Sequence, residues 1–393
     1  MSYAEYLSVH STQKKPFFYG AAPSMRVVVD INHPADVHFF KHFIREMEKR
    51  GHVILITASS KEISFRLLDS YGFAYEKLGS YGKSLAEKMM NIPLLDIRML
   101  HVSKKFNPDI FVGFGSIRAA HVAKVLGKPS INFEDTDHAA WEHRLYVPFA
   151  DVVLTPLCFR KDFGEKQVKI DTYKELFYLH PDYFRPDASV LAEAGVAPHE
   201  TFTVIRFVAW DAQHDHGQTG LHNREDIVEQ LEKFGKVFIT SEVPLPDSLK
   251  KYQIPVPLEK LHDLLYFATL YFGEGSTTAA EAAMLGTPAI YVSSLAGSLG
   301  YADDLEQKYG LLYSFRDQEP ALKKAEEILK NPDIKEAWKT RKEIFLKDKL
   351  NATRFLVWFV ETYPQRFRSM QAKQPYPGEN IQRQKKEEYD GKT

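Results

Sequence analysis

The sequence contains a single cysteine, Cys158, among 393 residues, which excludes an intrachain disulfide framework. Its apolar setting, DVVLTPLCFRKDF, suits a buried or half-buried thiol better than a nucleophile. Surplus charge is also missing: 51 basic residues against 52 acidic ones give a formal net charge of -1. That balance argues against nucleic acid as a partner, because a polyanion is held by a net basic surface. No apolar run approaches the length of a membrane span, and the stretch MSYAEYLSVHSTQKKPFFYGAAP lacks the continuous apolar core of a signal peptide. A cytoplasmic location is therefore expected. There is no HExxH pair, so a zinc site of that type is excluded, and no internal repeat of solenoid length. The first strand runs into DINHPADVH and not into a G-x-G-x-x-G turn, which makes a hydride-transferring dehydrogenase a poor fit.

What is present reads as a two-domain α/β protein. The length exceeds what one core usually supports. MRVVVDINHP is a strand meeting a turn, a helix follows over roughly Ala35 to Arg50, and RGHVILITAS stops it and begins a second strand. The same alternation repeats through NPDIFVGFGS, PSINFEDTD and FADVVLTP, which indicates a parallel sheet. Pro181, Pro186 and Pro198 interrupt regular structure, and TFTVIRFVAW opens a second series. The expected division is an extension over 1–24, a first Rossmann-like domain over 25–183 and a second over 184–350. A closing helix spans 351–365 and a polar, mobile tail 366–393. The cleft between the two halves is the default site. NAT at Asn351 matches the glycosylation pattern, by chance in a cytoplasmic chain.

The stretch FGEGSTTAAEAAMLGTPAIYV carries most of the chemistry. Gly273 and Gly275 permit a tight turn and close approach of a ligand. Free N–H groups at the start of the next helix, with Ser276, Thr277 and Thr278, suit phosphate oxygens. Glu281, one turn further in, suits the two hydroxyls of a ribose. The alternative is a solvated helix residue or a capping partner of Thr278, since T-x-x-E is common at helix starts.

Other candidates cluster at strand exits. His33 and Asn32 leave the first strand, and His38 and His42 share one face of the first helix. Three histidines suggest a metal only weakly without matching carboxylate spacing, and packing is the plain alternative. FEDTDHAAWEH gathers Glu134, Asp135, Asp137, His138 and His143, which either handle a proton or cap the helix beginning near His138. The Gly113–Ser116 turn faces the same crevice. Arg206, inside a strand, either meets a diphosphate or forms an ion pair. Asp211, His214, Asp215 and His216 fit a mobile loop better than a metal cluster. AGSLGY over 296–301 is a weaker cleft-loop candidate.

The pattern GEGSTTAAEAAMLGTPAIYV resembles the donor-binding segment of GT-B-fold glycosyltransferases and sugar-nucleotide 2-epimerases. With HPADVHFF, NPDIFVGFGSIRAAHVAKVLGKPSINFEDTDHA, YLHPDYFRPD and AGSLGYADDLEQKYGLLYSF, the resemblance extends over about Met25 to Pro364. It points to a largely uncharacterised archaeal and bacterial family of predicted GT-B-type glycosyltransferases. The resemblance implies two facing Rossmann-like domains, the first receiving an acceptor and the second a nucleotide-diphospho sugar, with ATRFLVWFVETYP crossing back to the first. It implies that Glu281 holds ribose, that Ser276 to Thr278 hold the diphosphate, and that His38 matches a catalytic-type histidine. The first loop departs from the lipid II-forming glycosyltransferases, which have a glycine-rich turn there, so the acceptor type does not carry over. The expected reaction is glycosyl transfer from a nucleotide-diphospho sugar to a hydroxyl acceptor, without a tightly bound cofactor or metal. Catalysis falls to His38, with Asp135 and His138 as further candidates. Ligand contacts fall to His33, Ser116, Arg206, Gly275, Ser276, Thr277, Thr278 and Glu281. A 2-epimerase or hydrolase, and a nucleotide-sugar-binding protein without turnover, are the alternatives.

Overall fold

The computed structural model describes residues 23–59, 62–82, 85–197, 199–208 and 221–371. The first sheet is built from β1 (Arg26–Ile31), β2 (Val53–Ser59), β3 (Glu76–Gly79), β4 (Ile110–Phe114), β5 (Ser130–Phe133), β6 (Val152–Pro156) and β7 (Gln167–Ile170). Its spatial order is β3-β2-β1-β4-β5-β6-β7, and every pair is parallel. The strands are apolar on both faces because helices cover both. Along β1, Val27, Val29 and Ile31 pack into one cluster and Val28 into the other.

The connecting helices are α1 (Pro34–Lys49), α2 (Glu62–Ser70), α3 (Leu85–Phe106), α4 (Ile117–Leu126) and α5 (Ala140–Tyr146). Helix α1 starts one residue before the expected Ala35. Pro34 occupies its first turn, where a missing N–H is harmless. His33 caps it, its Nδ1 accepting from the Ala35 amide, while Asp36 Oδ2 accepts from the Asn32 and His33 amides. Val37, Phe40, Ile44 and Met47 recur at helical spacing and are buried.

The chain then forms α6 (Leu176–Leu179) and α7 (Ser189–Glu193) before entering the second sheet. That sheet comprises β8 (Phe202–Phe207), β9 (Lys236–Ser241), β10 (Leu270–Gly273), β11 (Ala289–Val292) and β12 (Leu312–Phe315), in the parallel order β12-β11-β10-β8-β9. Its helices are α8 (Arg224–Glu232), α9 (Leu261–Phe267), α10 (Ser276–Leu285), α11 (Gly300–Gln307), α12 (Gln318–Leu329) and α13 (Ile334–Asp348). Both domains are thus Rossmann-like, and one continuous apolar cluster runs through them.

The return crossing is made by α14 (Ala352–Glu361). Asn351 caps it by accepting from the Arg354 amide, so the sequon asparagine has a structural task. Phe355, Leu356, Phe359 and Val360 are buried. Glu361 accepts from Arg50 Nη1 and pairs with His52 Nε2, both at 3.0 Å, tying this helix to the end of α1. Residues Gln365–Gln371 form a further helix, α15. Cys158 is half-buried, and burial pushes its thiol up to about 12, so it stays protonated.

Candidate functional site

In parallel α/β sheets, ligands collect at the carboxyl ends of the strands. At these ends the two sheets meet along a seam of polar side chains. From the second domain, Glu281 on α10 is 6% exposed and makes two contacts through Oε1. It accepts from the Tyr178 hydroxyl at 2.7 Å and pairs with His262 Nε2 at 3.0 Å. Neither contact uses Oε2. Burial works to raise the carboxyl pKa, but His262, the Tyr178 hydroxyl and Lys174 outweigh it and hold the group below the usual range. Glu281 is therefore a buried carboxylate, neither a solvated residue nor a partner of a capping threonine.

His38, at the second turn of α1, faces this cluster from the first domain. Its ring centroid lies 4.9 Å from that of His262 and 5.7 Å from that of Tyr178. Nδ1 is 3.2 Å from the Tyr71 hydroxyl. Burial, then the His262, Lys41 and His42 charges, lower its pKa well below the ordinary histidine value. His38 is thus neutral at pH 7. His42 stacks on Tyr183, with centroids 4.9 Å apart, and is directed to packing.

The start of α10 lacks a side-chain cap, with Gly275 at the N-cap and Ser276 and Thr277 half-buried behind it. Gly273 and Gly275 have ordinary negative-φ or extended backbone, so the tight-turn argument for them is corrected. What needs glycine is close packing. A Cβ on Gly275 would lie 2.8 Å from Arg206 Cδ, and one on Gly273 would lie 2.6 Å from the Arg206 carbonyl. Arg206 runs beside this turn, donating to Thr240 Oγ1 at 3.1 Å and to Glu242 Oε1 at 2.6 Å. The ion pair expected as one option is present, and the guanidinium still borders the turn.

The acidic segment after β5 divides into separate tasks. Glu134 accepts from the Asp135 and Thr136 amides and from the Tyr146 hydroxyl. His143 Nε2 lies 3.2 Å from Glu134 Oε2, close enough for charge attraction but not aligned for a hydrogen bond. Asp135 is buried against Lys174, 3.0 Å from Oδ2 to Nζ. Asp137 accepts from the Arg160 amide and, across the seam, from the Gly300 amide. His138 is exposed, whereas Asp135 is buried. Helix α5 begins at Ala140 without a side-chain cap, so none of these carboxylates caps it.

Of two further ligand candidates, Ser116 is withdrawn into the domain and His33 stands in the loop leaving β1. Ser116 is fully buried and does not reach the crevice: its hydroxyl donates to Asp30 Oδ2 at 2.6 Å and accepts from the Ala119 amide at 3.1 Å. His33 is exposed at the rim as the cap of α1. Asp211, His214, Asp215 and His216 lie outside the described residues. Among the described residues no group of three or more histidine, cysteine or carboxylate side chains is placed to hold a metal. Nor, among those residues, is any helix long and apolar enough to cross a membrane.

Sequence reasoning missed Lys174, Tyr178 and His262. Lys174 sits in DTYKELFYL and His262 in EKLHDLLYF, both of which look like ordinary amphipathic segments. The one signal was the apolar company of these polar residues, too common to single them out. Lys174, from the first domain, also lies 3.5 Å from Thr277 Oγ1 on α10. AGSLGY does reach the seam, through Gly300 and through Tyr301, whose ring lies 6.0 Å from the Lys174 ammonium.

This architecture is similar to that of a UDP-N-acetylglucosamine 2-epimerase and of a glycosyltransferase. The UDP-N-acetylglucosamine 2-epimerase of Neisseria meningitidis, solved with UDP-N-acetylglucosamine bound, superposes with a TM-score of 0.59 at 12% identity, covering 85% of this chain and 99% of its own. The glycosyltransferase SsfS6 of Streptomyces sp. SF2575 gives 0.56 at 13% identity, covering 86% and 100%. At such identities the likeness establishes the GT-B-like fold alone. An uncharacterised protein of Methanocaldococcus jannaschii is 23% identical over 280 residues, covering 68% of this chain and 81% of that protein. The profile of the family described as "Protein of unknown function (DUF354)" matches residues 25–337, and the chain belongs to that family.

Proposed function

We propose that the protein transfers a glycosyl group from a nucleotide-diphospho sugar to a hydroxyl acceptor held at the seam between its two domains. The observation that carries this reading is the approach of His38 on α1 to the His262–Glu281 pair on the other side. It sets a neutral imidazole beside the helix best suited to a nucleotide. Ribose would meet Glu281 through Oε2, and the diphosphate would meet the uncapped start of α10 near Ser276, Thr277 and Arg206. Helix N–H groups aimed at the leaving diphosphate stabilise the charge that develops there. With its proton on Nδ1 and donated to Tyr71, His38 offers Nε2 to the acceptor hydroxyl. The depressed pKa makes the ring a weaker base but keeps it in the accepting form at neutral pH. Seam closure excludes water that would otherwise hydrolyse the donor.

The test is His38→Gln at saturating donor and acceptor, where kcat is expected to fall by ~10²–10⁴-fold with donor affinity unchanged. The acid limb of the wild-type kcat profile should lie below pH 6.5, because the base works unprotonated and its pKa is lowered. Transfer by a folded His38→Gln protein within about threefold of wild type removes His38 from the role.

A second reading, 2-epimerase or hydrolase, draws on Glu175, buried at the same seam with its carboxyl pushed by burial above the usual carboxylate range. A carboxyl raised in this way can exchange a proton with a bound sugar. Incubation with candidate donors and no acceptor separates the readings: an epimerase alters the sugar, a hydrolase releases nucleotide, and a transferase leaves the donor intact.

A further inference from the structure

Lys174 belongs to the first domain, between β7 and α6, yet its ammonium lies against a helix of the second. Nζ is 3.0 Å from Asp135 Oδ2, 3.8 Å from Glu175 Oε1 and 3.5 Å from Thr277 Oγ1. The residue is 9% exposed. A lysine this deep normally completes its three donor sites with short bonds. Here only the Asp135 contact is short, and the Thr277 contact is at the limit of a hydrogen bond.

Glu175 supplies an independent sign that something is missing. It is 1% exposed, and its Oε1 has no hydrogen-bond partner although it faces Nζ. A buried polar atom without a partner is destabilising, so such atoms mark places where another group fits. Burial raises its pKa in spite of Lys174, which favours the protonated carboxyl, an O–H donor that itself needs an acceptor. Close by stand the Thr277 hydroxyl and the uncapped first turn of α10. An ammonium, a carboxylic O–H, a hydroxyl and helix N–H groups converge on one region. Asp135 takes one of the ammonium's three donor sites and Thr277 only weakly takes a second; the donor capacity left over has an oxyanion with several lone pairs as its natural complement.

We infer that Lys174 is the first-domain half of the diphosphate site, so that the diphosphate of a nucleotide sugar is gripped jointly by Lys174 and the first turn of α10. This rests on the donor reading above and extends it. The charge that neutralises the leaving group then comes from the domain that holds the acceptor, and a tight grip on the diphosphate requires both domains to be closed. A nucleoside, lacking the diphosphate, has no use for Lys174.

Titration of wild type, Lys174→Met and the double variant Asp135→Asn/Lys174→Met with UDP, GDP and dTDP, and with the matching nucleosides, tests this. The double variant removes both members of the ion pair and so leaves no unpaired Asp135 carboxylate to unfold the protein. Diphosphate affinity is expected to drop by about 10–100-fold in both variants, the usual effect of losing a charge-assisted bond, while nucleoside affinity holds. Lys174→Arg, which keeps the charge, should recover part of the loss. Diphosphate affinity in the folded double variant within about twofold of wild type overturns the inference and leaves the donor reading standing. Failure of wild type to bind any of the three nucleotides overturns the donor reading, and the inference with it.

Discussion

Two turns of this molecule have nearly the same sequence and opposite character. GFGS (113–116) closes β4 and leads into α4; GEGS (273–276) closes β10 and leads into α10. Their surroundings also correspond. Gly113 lies in register with Asp30 on β1, which lies in register with Thr57 on β2. Gly273 lies in register with Arg206 on β8, which lies in register with Thr240 on β9. In the first domain that central position is an acid with every contact taken. Asp30 accepts from Thr57, Ser116, Asn32 and Arg118, and both Asp30 and Arg118 are 0% exposed. Ser116 caps α4, and its own amide donates to Asn132 Oδ1. In the second domain the central position is a half-buried arginine, and α10 starts without a cap. One turn is filled by its own domain, although Arg118 Nη1 and Asn132 Nδ2 stay buried without a hydrogen-bond partner. The other leaves helix N–H donors at the mouth of the seam, beside an arginine paired with Glu242, a setting that suits an anionic ligand.

The largest expected effect breaks the filled turn. Asp30→Ala leaves Arg118 buried and uncompensated, and stability should fall by about 3–5 kcal/mol, read from the urea midpoint. A loss under about 1 kcal/mol would show that the pair is solvated and the turn less sealed than it looks.

Next comes Glu281→Gln, which keeps the shape of the seam but removes the charge. It should weaken nucleoside diphosphate binding by about 1.5–3 kcal/mol, measured by titration on protein shown to be folded. Equal affinities would make Glu281 a purely structural partner of Tyr178 and His262.

The smallest effect sharpens the contrast directly. Ser116→Ala should lower stability by about 1 kcal/mol, the usual value of a lost cap, while Ser276→Ala stays within about 0.5 kcal/mol. Equal losses would mean that Ser276, through its hydrogen bond to Tyr301 or as a cap, is held as firmly as Ser116, and that α10 is no more open than α4.

These contrasts show where the sequence was informative. The alternation of strands and helices was legible because burial on both faces writes long β-branched runs, as in RVVVDI and VFITS. The crossing helix was legible from its apolar spacing. Strand order was not, since it depends on pairings between distant segments. His38 could be placed because its distance from the end of β1 is short and local. The partners of Glu281 could not be: Tyr178 is 103 positions away, and nothing in its neighbourhood distinguishes it from a core tyrosine. Ser116 was misplaced for a related reason. A glycine turn announces a helix start, but whether that start is sealed depends on Asp30, Arg118 and Asn132, which only the fold assembles.

The central claim is that α10 opens onto a nucleotide diphosphate whereas α4 does not. Hydrogen exchange measured by mass spectrometry, with and without saturating nucleoside diphosphate, tests it at both turns in one sample. Peptides covering 275–279 should exchange more slowly in the presence of nucleotide, with 115–119 unchanged. Protection at 115–119 without protection at 275–279, or no change at either under conditions where binding is measured independently, would contradict it.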